Sequence, residues 1–549
     1  MALLGEILLE NNRVTPQKLS LALKEQKRTH ELMGDVLVRL GIISRKDLSK
    51  AIAIASDIPF IDLKQTVIDQ VAVKQVPKEI AGKFKLIPFA AEDELICVAM
   101  DNPNDVVALD TLRRTTGKTI EIFAADIGSI NDAVEMYYEV GTSIEEEIDR
   151  NVQAAITGGL AQGEIIPPIV RLVELFIIKS IRDHATDVHI TPEEMATRLS
   201  YRVDGILRSG TILPKQLHIP IVNRIKIMSG CDIAEQRLPQ EGNITFDFSD
   251  RRIDIRSAIS PCSHGENVVL RILDKESVLL GIEYLGLGDH HSKIIEKLVL
   301  RPHGIILVSG PTGSGKTTTL YSMLTEINAL EKNILTIEDP IEYNLPLIRQ
   351  TQVNEQAGLT FSKAIRHFLR QDPDIILVGE IRDPETAGIA FQAAMTGHLV
   401  LSTIHTNDSA SSIPRLLDLG VEPYLIPSSV RAVIAQRLVR KICPSCREEY
   451  TPDKRETALY DLKQWKIEGK TLVRGSGCPN CEESGYHGRT GIFEIMELSA
   501  EISELISRKT SSDVLLREAG KQGMRTMRED GMKKVLSGIT TVHEVFRVT

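Results

Sequence analysis

The stretch "GPTGSGKT" at residues 310–317 has the composition and spacing of a loop that binds phosphate groups. It fits the pattern G-x-x-x-x-G-K-[ST], between an apolar segment that predicts a strand and a segment that predicts a helix. Glycines let successive backbone N–H groups point at phosphate oxygens, and the N-terminus of the helix adds its dipole. Lys316 is predicted to reach the β- and γ-phosphates of a nucleoside triphosphate, and Thr317 to bind Mg²⁺. The predicted phosphate-binding residues are Gly310, Pro311, Thr312, Gly313, Ser314, Gly315, Lys316, Thr317 and Thr318.

Carboxylates follow two further apolar segments that predict strands. The acids are Glu338, Asp339 and Glu342 after residues 334–337, and Glu380 and Asp383 after residues 375–378. A P-loop enzyme needs an acidic group near Mg²⁺ and a group that orients the attacking water. Ligands bind at the carboxyl ends of parallel strands, so these acids are candidates for both tasks.

Two histidines flank a third predicted strand, in "TGHLVLSTIHTND". His398 precedes this strand and His405 follows it. A single histidine is most often a hydrogen-bonded structural group, whereas a polar strand end beside two acidic ones favours a phosphate sensor. Both interpretations stay open.

Four cysteines form two C-x-x-C pairs, separated by residues 447–477: Cys443, Cys446, Cys478 and Cys481. Four thiolates can surround one Zn²⁺ ion as a closed tetrahedral site. A redox-active pair is the alternative, but two paired copies favour structural zinc. The isolated cysteines are interpreted as packing residues: Cys97, Cys231 and Cys262.

The elements that must position these groups fall into four regions. We predict an N-terminal docking or regulatory region at 1–140, a flexible linker at 141–164, an α+β domain at 165–285 and an ATPase domain at 286–549. Strands and helices alternate up to residue 442, as in a doubly wound sheet. The last region includes a zinc module at 443–495 and a helical tail at 496–549.

Composition and charge disfavour several classes of protein. The 549 residues carry a formal net charge of −10, which disfavours a nucleic-acid translocase because phosphate neutralisation dominates such binding. Glu6 and Glu10 stand where a secretory signal would carry a basic segment, and no apolar run approaches the ~18 residues of a membrane span. We expect a cytoplasmic protein that contacts a membrane through its partners.

The ordered motifs GPTGSGKT, TIEDPIEY, RQDPDIILVGEIRD and TGHLVLSTIHT resemble the secretion ATPases that power type IV pili and type II secretion. That resemblance implies a RecA-like core and a ring of six subunits. It implies that Glu342 positions or deprotonates water and that Glu380 supports Mg²⁺ through water. It also implies that His405, together with His398, senses the γ-phosphate.

The region before the core resembles the second N-terminal domain of that family, a PAS-like α+β domain that clamps the nucleotide and supplies arginines. An arginine stabilises charge that develops during phosphoryl transfer. For each one, a surface ion pair is the alternative. The candidates are Arg202, Arg256, Arg271, Arg366 and Arg370.

Residues 3–26 and 32–55 form an internal repeat, similar to a module that binds cyclic di-GMP in some members of the family. The arginines that begin that motif are Leu3 and Leu32 here, which removes its main contact with guanine. The repeat therefore favours a protein-docking domain, and cyclic di-GMP is a doubtful ligand.

The resemblance predicts an ATPase that drives pilin polymerisation, acting through an inner-membrane platform protein and a cytoplasmic adaptor. Type II protein secretion is the alternative, and the tetracysteine module and long N-terminal region fit both. A nucleic-acid translocase and a non-hydrolysing nucleotide switch are less favoured, the latter because Glu342 and Glu380 are retained.

Overall fold

The computed structural model describes residues 2–11, 13–63, 66, 68–138, 144–158, 165–248, 251–273, 281–327, 329–465, 467 and 469–549. The chain forms two compact units, Met1–Glu276 and Ser277–Thr549. Within the described ranges, no helix combines the length and apolar character needed to cross a membrane.

The two sequence repeats form equivalent pairs of helices. These are α1 (Ala2–Glu10), α2 (Pro16–Thr29), α3 (Met33–Arg39) and α4 (Arg45–Ala55). The aligned glycines let the helices approach: a Cβ on Gly5 would lie 3.3 Å from a methyl carbon of Leu19, and a Cβ on Gly34 would lie 2.7 Å from a methyl carbon of Leu48. The repeat is therefore a packing unit used twice.

A small α/β domain follows. Its elements are α5 (Gln70–Val73), α6 (Lys78–Phe84), β1 (Leu86–Ala91), β2 (Leu95–Met100), α7 (Val106–Thr116), β3 (Thr119–Ala124) and α8 (Ile127–Tyr138). Strand β2 pairs antiparallel with β1 and parallel with β3. Leu86, Val98 and Leu112 are fully buried between this sheet and its helices.

The prediction of a flexible linker at 141–164 is wrong for its central part. Helix α9 (Ile144–Thr157) lies here, and helix α10 (Pro167–Arg182) follows the predicted linker. Lys179 Nζ lies 2.7 Å from a carboxylate oxygen of Glu145, and Arg171 Nε lies 2.8 Å from one of Glu147. Helix α9 also has an apolar stripe at helical spacing, which is buried in a core shared with α10. The residues of this stripe are Ile144, Ile148, Val152 and Ala155.

An antiparallel sheet completes the first unit. Its elements are β4 (Ala185–Pro192), β5 (Ala196–Val203), β6 (Ile206–Pro214), α11 (His218–Ser229), β7 (Gln240–Phe248), β8 (Arg251–Cys262) and β9 (Gly265–Leu273). The strand order is β6-β5-β4-β9-β8-β7. Helices α10 and α11 share one hydrophobic core with these strands, which gives the α+β domain predicted from the sequence.

The second unit is built on a seven-stranded sheet. Its first elements are α12 (Asp289–Val299), β10 (Gly304–Ser309), α13 (Lys316–Glu326), β11 (Ile334–Glu338), β12 (Arg349–Gln352), α14 (Phe361–Phe368), β13 (Ile375–Val378), α15 (Pro384–Met395), β14 (Leu399–Ile404), α16 (Ser412–Asp418), α17 (Leu425–Ser429) and β15 (Val430–Ile442). The order is β12-β11-β13-β14-β10-β15-β18, where β18 is the strand Tyr486–Glu497, and each pair of neighbours from β12 to β15 is parallel. Separate hydrophobic cores cover the two faces. This is the α/β architecture that the sequence predicts.

Two predicted boundaries are displaced. Ile282 and Leu285 pack into the core of the second unit, so the ATPase domain begins before residue 286. The final strand, β18 (Tyr486–Glu497), pairs with β15 from residue 432 to residue 442. Much of the predicted zinc module after residue 485 therefore belongs to the central sheet.

The remaining elements surround the cysteines and form the C-terminus. They are β16 (Arg447–Tyr450), α18 (Lys454–Leu459), β17 (Leu472–Gly475), α19 (Ala500–Ser507), α20 (Ser512–Lys521), α21 (Met527–Leu536) and α22 (Val542–Val548). Strands β16 and β17 form an antiparallel ribbon. Met532, Val535, Val542 and Val545 of the last two helices pack with Leu472 of that ribbon.

Candidate nucleotide and metal sites

The phosphate loop joins the buried strand β10 to the N-terminus of α13. Gly310, Gly313 and Gly315 have φ values of 149°, 77° and 90°, a region that side-chain-bearing residues rarely adopt. Helix α13 begins directly after the last of these glycines, at Lys316. The loop geometry is therefore the anion-binding arrangement that the motif predicts.

Lys316 reaches back over this loop. Its Nζ donates to the carbonyl oxygens of Gly310 and Pro311, at 2.9 and 3.0 Å. Burial lowers the pKa of Lys316; the carboxylate of Glu380 opposes this change, and the guanidinium of Arg437 adds to it. The lysine therefore lies within electrostatic range of a predicted magnesium-supporting acid.

Glu380 follows β13 and is largely buried. Its Oε2 lies 2.5 Å from Arg382 Nε and 3.4 Å from His405 Nε2. The preceding Gly379 lies close to the neighbouring strand, since a Cβ there would lie 3.3 Å from the Cα of Glu338. The structure thus brings the predicted acid, histidine and loop lysine to one edge of the sheet.

The acids after β11 have different surroundings. Glu338 is buried and accepts hydrogen bonds from Thr336 Oγ1 at 2.6 Å, Gln350 Nε2 at 3.0 Å and the hydroxyl of Tyr321. Burial raises the pKa of Tyr321, whereas hydrogen bonding with the backbone of Glu342 opposes that rise. Glu338 is therefore a structural group, and the backbone of Glu342 lies against α13.

The two histidines lie at opposite ends of β14. His398 Nδ1 is 2.9 Å from the carbonyl oxygen of Ala393 and 3.1 Å from Thr396 Oγ1, and its own carbonyl accepts from the backbone of Gly304, the first residue of β10. His405 follows the other end of β14, about 23 Å from His398 at about 3.3 Å per residue. The prediction that His398 joins His405 at the γ-phosphate is wrong within one chain, because the strand separates them.

Three predicted arginines lie in one row across the sheet of the first unit. Arg202 and Arg271 flank the carboxylate of Asp187, with Nε–O distances of 3.7 and 3.0 Å. Arg256 of β8 lies directly opposite Arg271 of β9. The register therefore brings three arginines into one row of the sheet, and two of them share the carboxylate of Asp187.

The other two arginines are on or just after α14. Arg366 forms an ion pair with Glu385, with an N–O distance of 3.1 Å. Arg370 Nη1 donates to the carbonyl oxygen of Arg366, and the next residue, Gln371, is bonded to Asn333 before the start of β11. This places Arg370 at the edge of the sheet opposite the phosphate loop, which contradicts a phosphate contact within the same chain.

Two residues of β15, the strand beside β10, contact the site although no motif predicts them. Gln436 Nε2 donates to the carbonyl oxygen of Ser314 at 2.6 Å, inside the phosphate loop. Arg437 donates to the carbonyl oxygen of Asn407 at 2.8 Å, in the loop that follows His405. The available signal is a polar pair that interrupts an apolar strand, in "VIAQRLV".

The four cysteine sulfurs form a compact group at the end of β15. Cys443 and Cys478 lie 3.8 Å apart, as do Cys446 and Cys481, and all four sulfurs lie within 4.8 Å of one another. Zn–S bonds of about 2.3 Å give sulfur separations of about 3.8 Å in a tetrahedron. The group therefore fits a zinc ion that is closed to other ligands.

Backbone amides support this group. The N–H groups of Cys478 and Gly485 both lie 3.2 Å from the sulfur of Cys481. Burial would raise the pKa of Cys481, but these two amides lower it, which favours a thiolate. Such hydrogen bonds to ligand sulfurs are typical of a metal site's outer shell.

Comparisons with known proteins agree with this geometry. The family described as "Type II/IV secretion system protein" matches residues 164–547, and the MshEN domain matches residues 56–144. The type IV pilus assembly ATPase PilB of Myxococcus xanthus is 39% identical over 99% of this chain and 98% of its own length. Type II secretion system protein E of Xanthomonas campestris is 38% identical over 99% of this chain and 98% of its own.

Solved structures share the fold. The ATPase DotB of Legionella pneumophila has a TM-score of 0.51 and 19% identity, over 69% of this chain and 95% of its own. DotB of Yersinia pseudotuberculosis has the same TM-score at 20% identity, over 69% of this chain and 93% of its own. With the phosphate loop, the sheet edge and the two full-length relatives, the chain is a P-loop ATPase that belongs to the type II/IV secretion system protein family.

Proposed function

We propose that this chain is a hexameric cytoplasmic motor that couples ATP hydrolysis to the assembly of type IV pili. The observation that carries the proposal is the relationship to PilB of Myxococcus xanthus, which extends over nearly the whole of both chains. Coupling to an inner-membrane platform protein and a cytoplasmic adaptor would convert subunit motion into pilin addition.

Within this function, each group at the sheet edge has a task. The loop Gly310–Thr318 and Lys316 hold the phosphates, and Thr317 binds Mg²⁺ directly. Glu380 supports Mg²⁺ through water, which its position beside the electrostatic field of Lys316 favours. Glu342 orients or deprotonates the attacking water, and His405, in contact with Glu380, senses the γ-phosphate.

The arginine row of the first unit supplies positive charge to the phosphates in this proposal. Arg202 and Arg271 share Asp187, so their combined charge is only partly neutralised. Positive charge of this kind stabilises the negative charge that develops during phosphoryl transfer.

The tetracysteine group holds Zn²⁺ as a structural ion. Its sulfur geometry leaves no open position for catalysis. The ion would tie the β16–β17 ribbon to β15 and β18, and so fix the surface from which the C-terminal helices project.

The N-terminal repeat serves protein docking rather than nucleotide binding. Leu32 stands where the related motif begins with arginine, and its side chain is 66% exposed. An exposed apolar group suits a protein partner, and it gives guanine no hydrogen bond. Calorimetric titration with cyclic di-GMP tests this: heat of binding in the micromolar range would contradict a docking-only role.

Type II secretion is a second candidate, because the Xanthomonas relative covers this chain equally well. Deletion of the gene separates the two functions. We expect loss of surface pili with unchanged secretion of extracellular enzymes. The wild-type gene should restore the pili, and a gene carrying Lys316→Ala should not. Retained pili together with lost enzyme secretion would reverse the assignment.

A further inference from the structure

A buried glutamine lies against the phosphate loop, outside every motif that defines the nucleotide site. Gln436 of β15 is 1% exposed. Strand β15 runs parallel to β10, with Ala435 opposite Ser309, so the next residue lies where the phosphate loop begins. We propose that Gln436 is a positioning residue that sets the orientation of the loop's peptide groups and thereby the affinity for ATP and ADP.

The side-chain amide of Gln436 joins two parts of the site. Its Nε2 donates to the carbonyl oxygen of Ser314 at 2.6 Å, and its Oε1 accepts from the hydroxyl of Thr319 at 2.7 Å. Ser314 lies in the loop, and Thr319 lies in the first turn of α13 and is fully buried. One planar amide thus links the loop to the helix, with its N–H as the donor and its oxygen as the acceptor.

The bond to Ser314 has a consequence on the other side of the same peptide group. In a trans peptide, the C=O and the following N–H point in opposite directions. Holding the carbonyl of Ser314 toward β15 therefore directs the N–H of Gly315 away from it. Backbone N–H groups of such a loop are the donors to phosphate oxygens, so the glutamine acts on phosphate through Gly315.

The packing leaves the loop little freedom here. A Cβ on Gly315 would lie 2.9 Å from Nε2 of Gln436, and a Cβ on Gly310 would lie 2.8 Å from its backbone oxygen. Both glycines thus approach Gln436 more closely than any side chain allows. A change at Gln436 acts directly on the loop.

The test compares Gln436→Met, similar in length but without the donor, with Thr540→Val. Thr540 is also fully buried and donates to the backbone of Arg440 in the same strand at 2.7 Å, away from the loop. We expect Gln436→Met to raise the Kd for Mg-ADP at least tenfold and to speed amide hydrogen exchange in residues 310–319 of the nucleotide-free protein. Thr540→Val should change the Kd less than twofold.

A Kd for Gln436→Met within twofold of the wild type, with unchanged exchange in the loop, overturns the proposal. So does an equal rise for Thr540→Val, which would show general loosening of β15. If Gln436→Met does not fold, Gln436→Asn carries the same test, because it keeps an uncharged amide but is one methylene too short to reach both Ser314 and Thr319. A Kd within twofold of the wild type for that variant is equally contradictory.

Discussion

The phosphate edge and the cysteine cluster lie along the same strand but are constructed differently. Strand β15 contacts the phosphate loop through Gln436 and leads directly to Cys443. The cysteine site is complete in four side chains, whose sulfurs already have the spacing that zinc requires. The phosphate edge instead combines backbone groups with side chains from separate strands. A metal site can thus be complete locally, whereas the phosphate site is distributed over several strands of the sheet.

The largest expected effect is that of Lys316→Ala, which should abolish the function of the nucleotide site and leave the zinc site intact. Lys316→Ala removes the cation that faces the phosphates, and we expect ATP hydrolysis to fall at least about 100-fold. Zinc content should stay at that of the wild type, because the cysteines lie at the other end of β15. The matched control is Lys332→Ala, which removes an exposed lysine paired with Asp374. A phosphate-release assay and metal analysis measure both outcomes, and loss of zinc in Lys316→Ala would contradict the independence of the sites.

Removal of zinc tests whether the cysteine site affects the nucleotide site. Cys481→Ser removes the thiolate that receives two backbone hydrogen bonds, so zinc content should fall below about 0.2 per chain and Tm should fall by at least about 5 °C. Strand β15 remains paired with β10 and β18, so the Kd for Mg-ADP should change less than about threefold.

Cys262→Ser is the control for that experiment, because Cys262 is exposed and lies outside the cluster. Retention of zinc in Cys481→Ser would contradict the assignment of Cys481 as a zinc ligand. A tenfold loss of nucleotide affinity would show instead that the two ends of β15 are coupled.

What sequence predicts depends on whether a site is local. The glycines of the phosphate loop and the paired cysteines announce their chemistry by spacing, and the structure gives both groups the expected geometry. Glu380 and His405 were predictable from strand ends because parallel strands share an edge. A polar residue directly after an apolar strand thus predicts a contact with a distant residue, because the parallel strands of the sheet end at the same edge.

The residues that were not predicted correctly owe their positions to strand pairing or to a helix that the sequence pattern did not indicate. His398 resembles His405 in its motif, yet the strand between them places the two at opposite edges. Gln436 reaches the phosphate loop only because β15 pairs with β10, more than a hundred residues earlier in the chain. Helix α9 was missed because its acidic residues suggested a linker, although its apolar residues recur at helical spacing.

The C-terminal helix is held to β15 between the two sites by a buried carboxylate. Burial alone would raise the pKa of Glu544, but hydrogen bonds from Arg547 and Arg440 lower it to about 2, from an ordinary 4.5. Because the pKa is lower in the folded protein than in the unfolded chain, the ionised carboxylate stabilises the fold above about pH 4.5. This stabilisation is lost as the pH falls toward 2. We expect about 2 kcal/mol of this contribution to be gone by about pH 3.

The variant Glu544→Gln isolates that contribution. Its Tm should lie well below the wild-type Tm at about pH 6, and the gap should narrow as the pH approaches about 3. Zinc release at acid pH affects both proteins alike, so the difference between them reports on Glu544. A gap that is constant with pH would contradict an ionised carboxylate between the two arginines.

The smallest effects distinguish the two histidines. His405 contacts Glu380, so His405→Ala should lower kcat about tenfold with little change in stability. His398 bonds to Ala393 and Thr396 at the far edge, so His398→Ala should leave kcat and KM within about twofold and lower the free energy of unfolding by about 1 kcal/mol. Steady-state kinetics and thermal unfolding of both variants measure this contrast. Equal losses of kcat would mean that His398 reaches a nucleotide after all, and because β14 separates it from the phosphate loop of its own chain, that nucleotide would have to belong to another subunit.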